Sequence, residues 1–333
     1  MTMRPPAADE TGRDAGAPAI HVGTSGYSFA DWVGPFYPPG TASSEFLPYY
    51  ARQFGCVEVN STYYGMPQAA AMERMQARTP DGFRFIVKLH QSMTHHGADD
   101  PAHYRKFMAA LAPLQAAGKY HGLLAQFPWA FRRDDRSKAH LERLREHLSG
   151  EPLWVEFRHD SWMHPKLAAW LSDRELGYCC VDEPTLPGLV PPVTHVTNGV
   201  GYVRFHGRNA EHWWGSGART ALPHAGAPAP ERAGPVAAAS LAESTLFGAP
   251  AAVPSRPAPA SRSMHGSREQ LRYDYDYSES ELMQWVARIS ALAQQAKQSY
   301  LFFNNCHAGQ AARNAKLMEE LLRRQHLPVS CRP

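Results

Sequence analysis

A small set of ionisable and amide side chains recurs at one kind of place in this chain, at or near the C-terminal ends of short β-branched and aromatic runs. Glu58 and Asn60 close the run from Cys56, Lys88 the run from Phe83, and Gln126 the run from Gly122. Glu156 and Arg158 follow Leu153, Asp182 follows Gly177, Arg204 and His206 follow Gly201, and Asn304 follows Ser299. The intervening positions are apolar: Val57, Val59, Phe83, Phe85, Val87, Val155, Phe157, Val203 and Phe205. Strict two-residue alternation marks strands with one face packed and the other polar. The chemistry on offer is proton transfer and anion binding. Glu58, Glu156 and Asp182 are the candidate general acids and bases. Lys88, Arg158, Arg204 and His206 suit a phosphate or carboxylate, while Asn60, Gln126 and Asn304 can orient a substrate by hydrogen bonds. Tyr27, Tyr63 and Trp162, with Trp32, Tyr64, Trp129, Trp213 and Trp214, lie in loops just after these runs. Together they could wall a pocket for a flat or sugar-like ligand.

Taken singly, any of these charges is readily explained as a solvated residue or half of an internal ion pair; Glu156–Arg204 and Glu58–Lys88 are natural partners. The set resists that explanation, because buried charge is costly unless paired and so many polar strand ends imply a ligand that completes the pairing. Weaker signals are discounted. Gly23-Thr24-Ser25-Gly26 lacks the Lys-Ser/Thr ending of a phosphate loop. Ser25 and Ser161 have no nucleophile-elbow context. His90, His95 and His96, with Glu58, Glu156 and His206, are donors of the right type for a divalent cation but lack HxxxH or HExxH spacing, so no metal and no cofactor is assigned.

The elements that must position these residues are eight strands within Ile20–Gly26, Cys56–Asn60, Phe83–Lys88, Gly122–Pro128, Leu153–Arg158, Gly177–Asp182, Gly201–Gly207 and Ser299–Asn305. Helices are expected over Ser43–Phe54 with Ser43 as cap, Pro67–Arg78, Pro101–Ala117 with a bend near Pro113, Asp135–Leu148, Pro165–Glu175, Ser278–Lys297 behind a Ser278–Glu281 capping box, and Ala308–Gln325. Between the sixth and seventh strands, Glu183–Asn198 carries four prolines and no helical period, so a loop replaces the sixth helix. Eight strands alternating with helices point to an α/β fold, a (β/α)8 TIM-type barrel. A doubly wound open sheet is the alternative, and no GxGxxG follows the first strand to support it. In a barrel, the polar strand ends fall on the C-terminal face where such folds build sites.

The barrel domain spans 20–330. Residues 1–19, rich in Pro, Ala, Gly and charge, read as a disordered tail, and 209–262, rich in Ala, Pro, Gly and Ser, as a low-complexity insertion. A chain of 333 residues with 44% hydrophobic content can bury a large core. The formal net charge of +3 carries no concentrated basic stripe. Five cysteines without CxxC spacing fit reduced thiols and a cytoplasmic protein. No apolar signal-peptide core and no run of about 18 apolar residues appears, so no membrane partner is expected.

The motifs Gly23-Thr24-Ser25-Gly26-Tyr27, Val57-Glu58-Val59-Asn60-Ser61-Thr62-Tyr63-Tyr64, Phe83-Arg84-Phe85-Ile86-Val87-Lys88, Gln126-Phe127-Pro128, Val155-Glu156-Phe157-Arg158-His159 with Ser161-Trp162, Val203-Arg204-Phe205-His206-Gly207 and Phe303-Asn304-Asn305 are specific as a set. Between about Ile20 and Leu321 the chain closely resembles the DUF72 (YecE-like) family. The resemblance implies a TIM-type barrel. It implies no chemistry, since the family is one of unknown function and brings no catalytic residues to carry over. The insertion after the seventh strand is longer than the family's usual connection; it hangs on the presumed ligand face, as a lid or as tolerated slack.

Three functions follow from these readings. The first is an enzyme (hydrolase, lyase or isomerase) that takes a small or oligomeric anionic substrate, sugar- or nucleotide-like, on Lys88, Arg158, Arg204 and His206, with carboxylate acid/base chemistry. The second is a nucleic-acid-binding or processing protein using the aromatic and arginine mouth. The third is a non-catalytic metabolite-binding module. The sequence is neutral on oligomeric state.

Overall fold

The alternating runs pair side by side in chain order, all parallel, and the last pairs with the first to close a barrel, β1-β2-β3-β4-β5-β6-β7-β8. The computed structural model describes residues 19–214 and 270–330. The expected N-terminal tail and insertion lie outside the described residues, except Ala19 and residues 209–214. The strands are β1 Ala19–Ser25, β2 Cys56–Val59, β3 Arg84–Lys88, β4 Tyr120–Gln126, β5 Leu153–Glu156, β6 Gly177–Asp182, β7 Val200–Phe205 and β8 Gln298–Phe303. The seam is long: β8 runs in register with β1 from Ala19↔Gln298 to Thr24↔Phe303, and with β7 from Val200↔Gln298 to Phe205↔Phe303.

Around the barrel lie helices α1 Phe46–Ala51, α2 Ser61–Tyr64, α3 Ala69–Ala77, α4 Gln91–Thr94, α5 Pro101–Ala116, α6 Asp135–His147, α7 Leu167–Ser172, α8 Glu279–Ala293 and α9 Gln310–Arg324. Several boundaries differ from the sequence expectation. Ser43 opens a 3-10 turn and makes no side-chain cap, so the α-helix begins only at Phe46. Pro67 stands ahead of α3, which starts at Ala69. α5 passes through Pro113 unbroken; the proline sits in the last turn, where its missing N–H removes one ladder bond only. The Ser278–Glu281 capping box is present at the start of α8, and no helix interrupts residues 183–199.

Strand parity divides the side chains. Phe85, Val87, Val155, Val203 and Phe205 pack under the helices, all fully buried. The inward positions fill the barrel in layers. At the N-terminal end Trp154, Tyr202 and Tyr300 form an aromatic plug, with Trp154 5.0 Å from Tyr202 and 6.1 Å from Tyr300 between ring centroids, and His21 stacks on Tyr300 at 5.1 Å. Glycines on both strands beside β5 make room for the indole. A Cβ on Gly122 would stand 2.5 Å from Trp154 Cζ3, and one on Gly177 would stand 2.2 Å from Trp154 Cδ1. Gly177→Ala should therefore lower stability by about 1–3 kcal/mol through overpacking, read as a lower urea midpoint with an unchanged slope. An unchanged midpoint would mean that the plug is loose.

Candidate functional site

Above the aromatic plug the barrel axis carries charge. Arg204 of β7 is buried at its centre. Its Nη1 donates to Glu156 Oε2 at 2.6 Å and its Nη2 to Glu58 Oε1 at 2.7 Å, with Ser25 Oγ at 3.4 Å. The Tyr202 hydroxyl donates to Glu58 Oε2 at 2.7 Å. Glu58 and Glu156 are both wholly buried. On the other oxygen of Glu156, Arg158 Nε closes to 2.5 Å as an ion pair and His206 Nε2 stands at 3.2 Å; neither contact is an aligned hydrogen bond. Burial opposes the charge on Glu156, but Arg158 and Arg204 outweigh it and hold the carboxyl well below its ordinary range. Burial, reinforced by Arg158, drives His206 down to about 3, so the imidazole is neutral. Its Nδ1 meets the Asn304 amide nitrogen at 3.0 Å.

The next layer up opens into a cavity of about 290 Å³ at the C-terminal mouth. Lys88, Gln126, Arg158 and His95 line it, with Tyr63, Tyr64, Trp129, Trp213, Trp214, Arg272 and Tyr273 as walls. Lys88 is the last residue of β3, and the Thr62 hydroxyl fixes its backbone by donating to its carbonyl at 2.6 Å. Its ammonium lies 4.3 Å from the centre of the Tyr63 ring. Among the described residues no carboxylate comes within 4.0 Å of it, since Arg204 occupies Glu58 and Glu156. Burial, with Arg204 next in weight, lowers Lys88 to about 7. His95 is likewise lowered by burial, to about 4. Trp213 lies between two guanidiniums, Arg158 at 6.0 Å and Arg272 at 5.2 Å from its ring. Trp213 and Trp214 thus belong to the site. Asn209 ties them down, its Nδ2 donating to Leu271 O at 2.9 Å and Asp274 O at 3.1 Å.

Of the residues singled out in the sequence, Glu58, Lys88, Gln126, Glu156, Arg158, Arg204, His206, Asn304 and Tyr63 come together along this axis. Asn60 follows β2 on the parity of Glu58, and its Oδ1 is buried without a hydrogen-bond partner among the described residues. Three residues are placed elsewhere. Asp182 stands in register with outward-facing Phe205 and turns away from the barrel axis. It accepts from Arg208 Nη2 at 2.7 Å, the Tyr277 hydroxyl at 2.6 Å and Trp285 Nε1, which fixes α8 against the sheet. Trp162 packs against Phe157 at 4.2 Å, and its indole N–H donates to Phe131 O at 2.7 Å; it borders a separate 140 Å³ pocket with Trp170 and Lys166. Tyr27 packs beside Tyr50, 6.2 Å between rings, and its carbonyl accepts from Tyr37.

The position expected of Asp182 belongs to Glu183. Its carboxylate is buried, accepts from Val190 N at 3.0 Å and meets Arg158 Nη1 at 3.3 Å. Burial raises it to about 7, against the pull of Arg158. Tyr202, Arg272 and Tyr273 are the other site residues that alternation did not single out. The triplet His90, His95 and His96 does not converge: His90 meets Ser92 Oγ at 2.8 Å, whereas His95 turns to Tyr63, 5.1 Å between rings. Among the described residues no group of three or more His, Cys, Asp or Glu side chains could hold a metal ion, and no helix is long and apolar enough to cross a membrane.

Comparison with known proteins places this arrangement in a family. The model for "Protein of unknown function DUF72" matches residues 21–230 and 241–333. The chain is 28% identical to the UPF0759 protein YunF of Bacillus subtilis over 321 residues, 91% of this chain and 94% of that protein. It is 34% identical to the UPF0759 protein YecE of Escherichia coli over 99 residues, 28% of this chain and 33% of that protein. A crystal structure of a DUF72 family protein from Thermotoga maritima superposes with a TM-score of 0.70 at 33% identity, covering 92% of this chain and 99% of that one. One from Enterococcus faecalis superposes at 0.69 with 24% identity, covering 91% and 95%, which bears on the fold alone. The barrel, its polar strand ends and these matches agree, and the chain belongs to the DUF72 family.

Proposed function

We propose that the barrel mouth is an enzyme active site for a small anionic substrate of sugar- or nucleotide-phosphate type, with Lys88 as the group that exchanges a proton near neutrality. The observation that carries this reading is Lys88 itself: a cation facing a cavity, without a carboxylate partner among the described residues, in a site where Arg204 and Arg158 are already paired with Glu58, Glu156 and Glu183. A half-buried ammonium without a paired carboxylate favours an anion that supplies one. Arg158 and Arg272 add positive charge from two sides, and the tryptophan walls suit a ring or a sugar face. Glu156 is held ionised by two guanidiniums and is a poor base. The carboxylates of the axis hold Arg204 and Arg158 in place, and proton exchange falls to Lys88, whose pKa matches the working range. That favours a lyase or isomerase over a hydrolase. A cytoplasmic setting fits the free thiols Cys56, Cys179, Cys180 and Cys306.

Sulfate, whose charge is constant across the range, tests this reading by calorimetric titration. Lys88 is cationic below about 7 and neutral above it. The groups facing it are Arg204, Glu156, Glu58 and Arg158, with His95 and Tyr63 at its side. Sulfate should bind at pH 6 about tenfold or more tighter than at pH 8.5, as the loss of one charged hydrogen bond implies. Lys88→Met should bind weakly at both. Equal affinity for wild type and variant at pH 6 would sink the reading.

A second reading has support at the rim, where Tyr64 is 66% and Trp214 40% exposed. Such rings offer stacking to a single-stranded nucleic acid. For an oligonucleotide held there the logarithm of the affinity would fall linearly with the logarithm of salt concentration, and a salt-independent signal excludes it.

A further inference from the structure

We infer that Lys88 is a carbonyl-capturing residue, whose Nζ forms an imine with an aldehyde or ketone carbon of the substrate held at the barrel mouth. The inference rests on the anionic-substrate reading above and deepens it by naming the functional group that the substrate must carry.

Position comes first. Lys88 ends β3, points along the inward parity of the strand and lines the 290 Å³ cavity. The hydrogen bond from Thr62 to its carbonyl holds the strand end from which the side chain departs. A lysine meant only to pair with a carboxylate would sit beside one, and this barrel offers two within the next layer down. Both are taken by Arg204, at 2.7 and 2.6 Å. The amine is left against the face of Tyr63 with Arg158 as a neighbour on the cavity wall.

Other lysines of the chain show the contrast. Lys119 donates to the carbonyls of Gln76 at 2.6 Å and Thr79 at 2.7 Å, and Lys138 pairs with Asp135 at 3.0 Å. Their nitrogens are held as ammonium donors, without a free lone pair. A nucleophilic lysine needs the reverse: desolvation, cationic neighbours and no anion in contact. Lys88 has all three, and its lowering to about 7 is the expected consequence.

The step balances within the site. The Nζ lone pair attacks the carbonyl carbon, the C–O π bond breaks, and a carbinolamine forms. A nitrogen proton then passes to the departing hydroxyl, which leaves as one water, and the C=N bond takes its place. No oxidant or reductant is consumed. The proton passes from nitrogen to oxygen through solvent at the open mouth; His95, which lines the same cavity, is neutral at pH 7 and adds no charge to the step. Arg158 and Arg272 are placed to hold the anionic group away from the reacting carbon. The substrate class is therefore a short oxo compound with a phosphate or carboxylate group.

The test is reductive trapping on the intact chain. Glycolaldehyde phosphate and glyoxylate are each incubated with the protein at pH 7.0 with cyanoborohydride, followed by intact mass and peptide mapping. The expected result is one adduct per chain on Lys88, formed at least about tenfold faster than adducts on the exposed Lys106 and Lys297, slowed by sulfate, and absent in Lys88→Arg of unchanged circular dichroism. Labelling of Lys88 no faster than of those two surface lysines overturns the imine. The sulfate titration separates the two levels. Sulfate bound at the mouth with no Lys88 adduct overturns the imine alone, and neither bound sulfate nor adduct overturns both readings.

Discussion

Arg204→Met should cost about 3–5 kcal/mol of stability at pH 7, the range for removing one partner of a buried ion pair. Arg204 is shared between two wholly buried carboxylates, so its loss leaves negative charge on both Glu58 and Glu156 inside the barrel. The two pH responses have opposite signs. In the wild type, Glu156 is held below its ordinary range, so its contribution is complete above the unfolded glutamate value of about 4.3 and fades as pH falls toward the lower folded value. In the variant, protonation relieves buried negative charge, so the folded chain gains protons more readily than the unfolded one and the deficit shrinks between pH 7 and pH 5. Urea unfolding at the two pH values reads both. A variant as stable as the wild type at pH 7 would show that the network contributes nothing to the fold.

Asp182→Ala should cost about 3 kcal/mol or more, because the Tyr277 hydroxyl and the Trp285 indole lose their carboxylate acceptor and the Arg208 guanidinium keeps only Gln284 and Glu281. Its effect on sulfate binding should stay within twofold, since it faces α8 and not the cavity. Glu183→Gln should do the opposite, with a small loss of stability and altered anion binding through Arg158. If Asp182→Ala folds normally but loses sulfate binding, the assignment of these neighbours to opposite faces is wrong.

That pair shows where the sequence is silent. Alternation identifies strands and their two faces wherever a strand carries a polar residue to set the phase, as Glu58, Lys88, Glu156 and Arg204 do. β6 reads Gly-Tyr-Cys-Cys-Val-Asp: both parities are apolar until its last residue, so nothing upstream fixes which of Asp182 and Glu183 turns inward. Register with β7 fixes it, because Val181 pairs with inward Arg204 and Asp182 with outward Phe205. Partners across the barrel were legible only in part: the Glu156–Arg204 pair named from the sequence is present, and the partner of Glu58 is a different one. Glu58 was expected beside Lys88 on the adjacent strand, yet it meets Arg204 on β7. A period-two pattern gives the face of a side chain but not its reach across the axis. Tyr27 and Trp162 follow strands as pocket residues would, but loop conformation turned both into packing.

The bonds from Asn209 to Leu271 and Asp274 carry a consequence for how freely this region can change length. They join the two ends of the excursion after β7 beside the cavity wall. With the ends closed, doubling the chain between them costs only about 0.6 kcal/mol of closure entropy, comparable to one ordinary hydrogen bond. Whatever length of chain joins them, Trp213 and Arg272 are thereby kept at the cavity wall by contacts made at the two ends themselves.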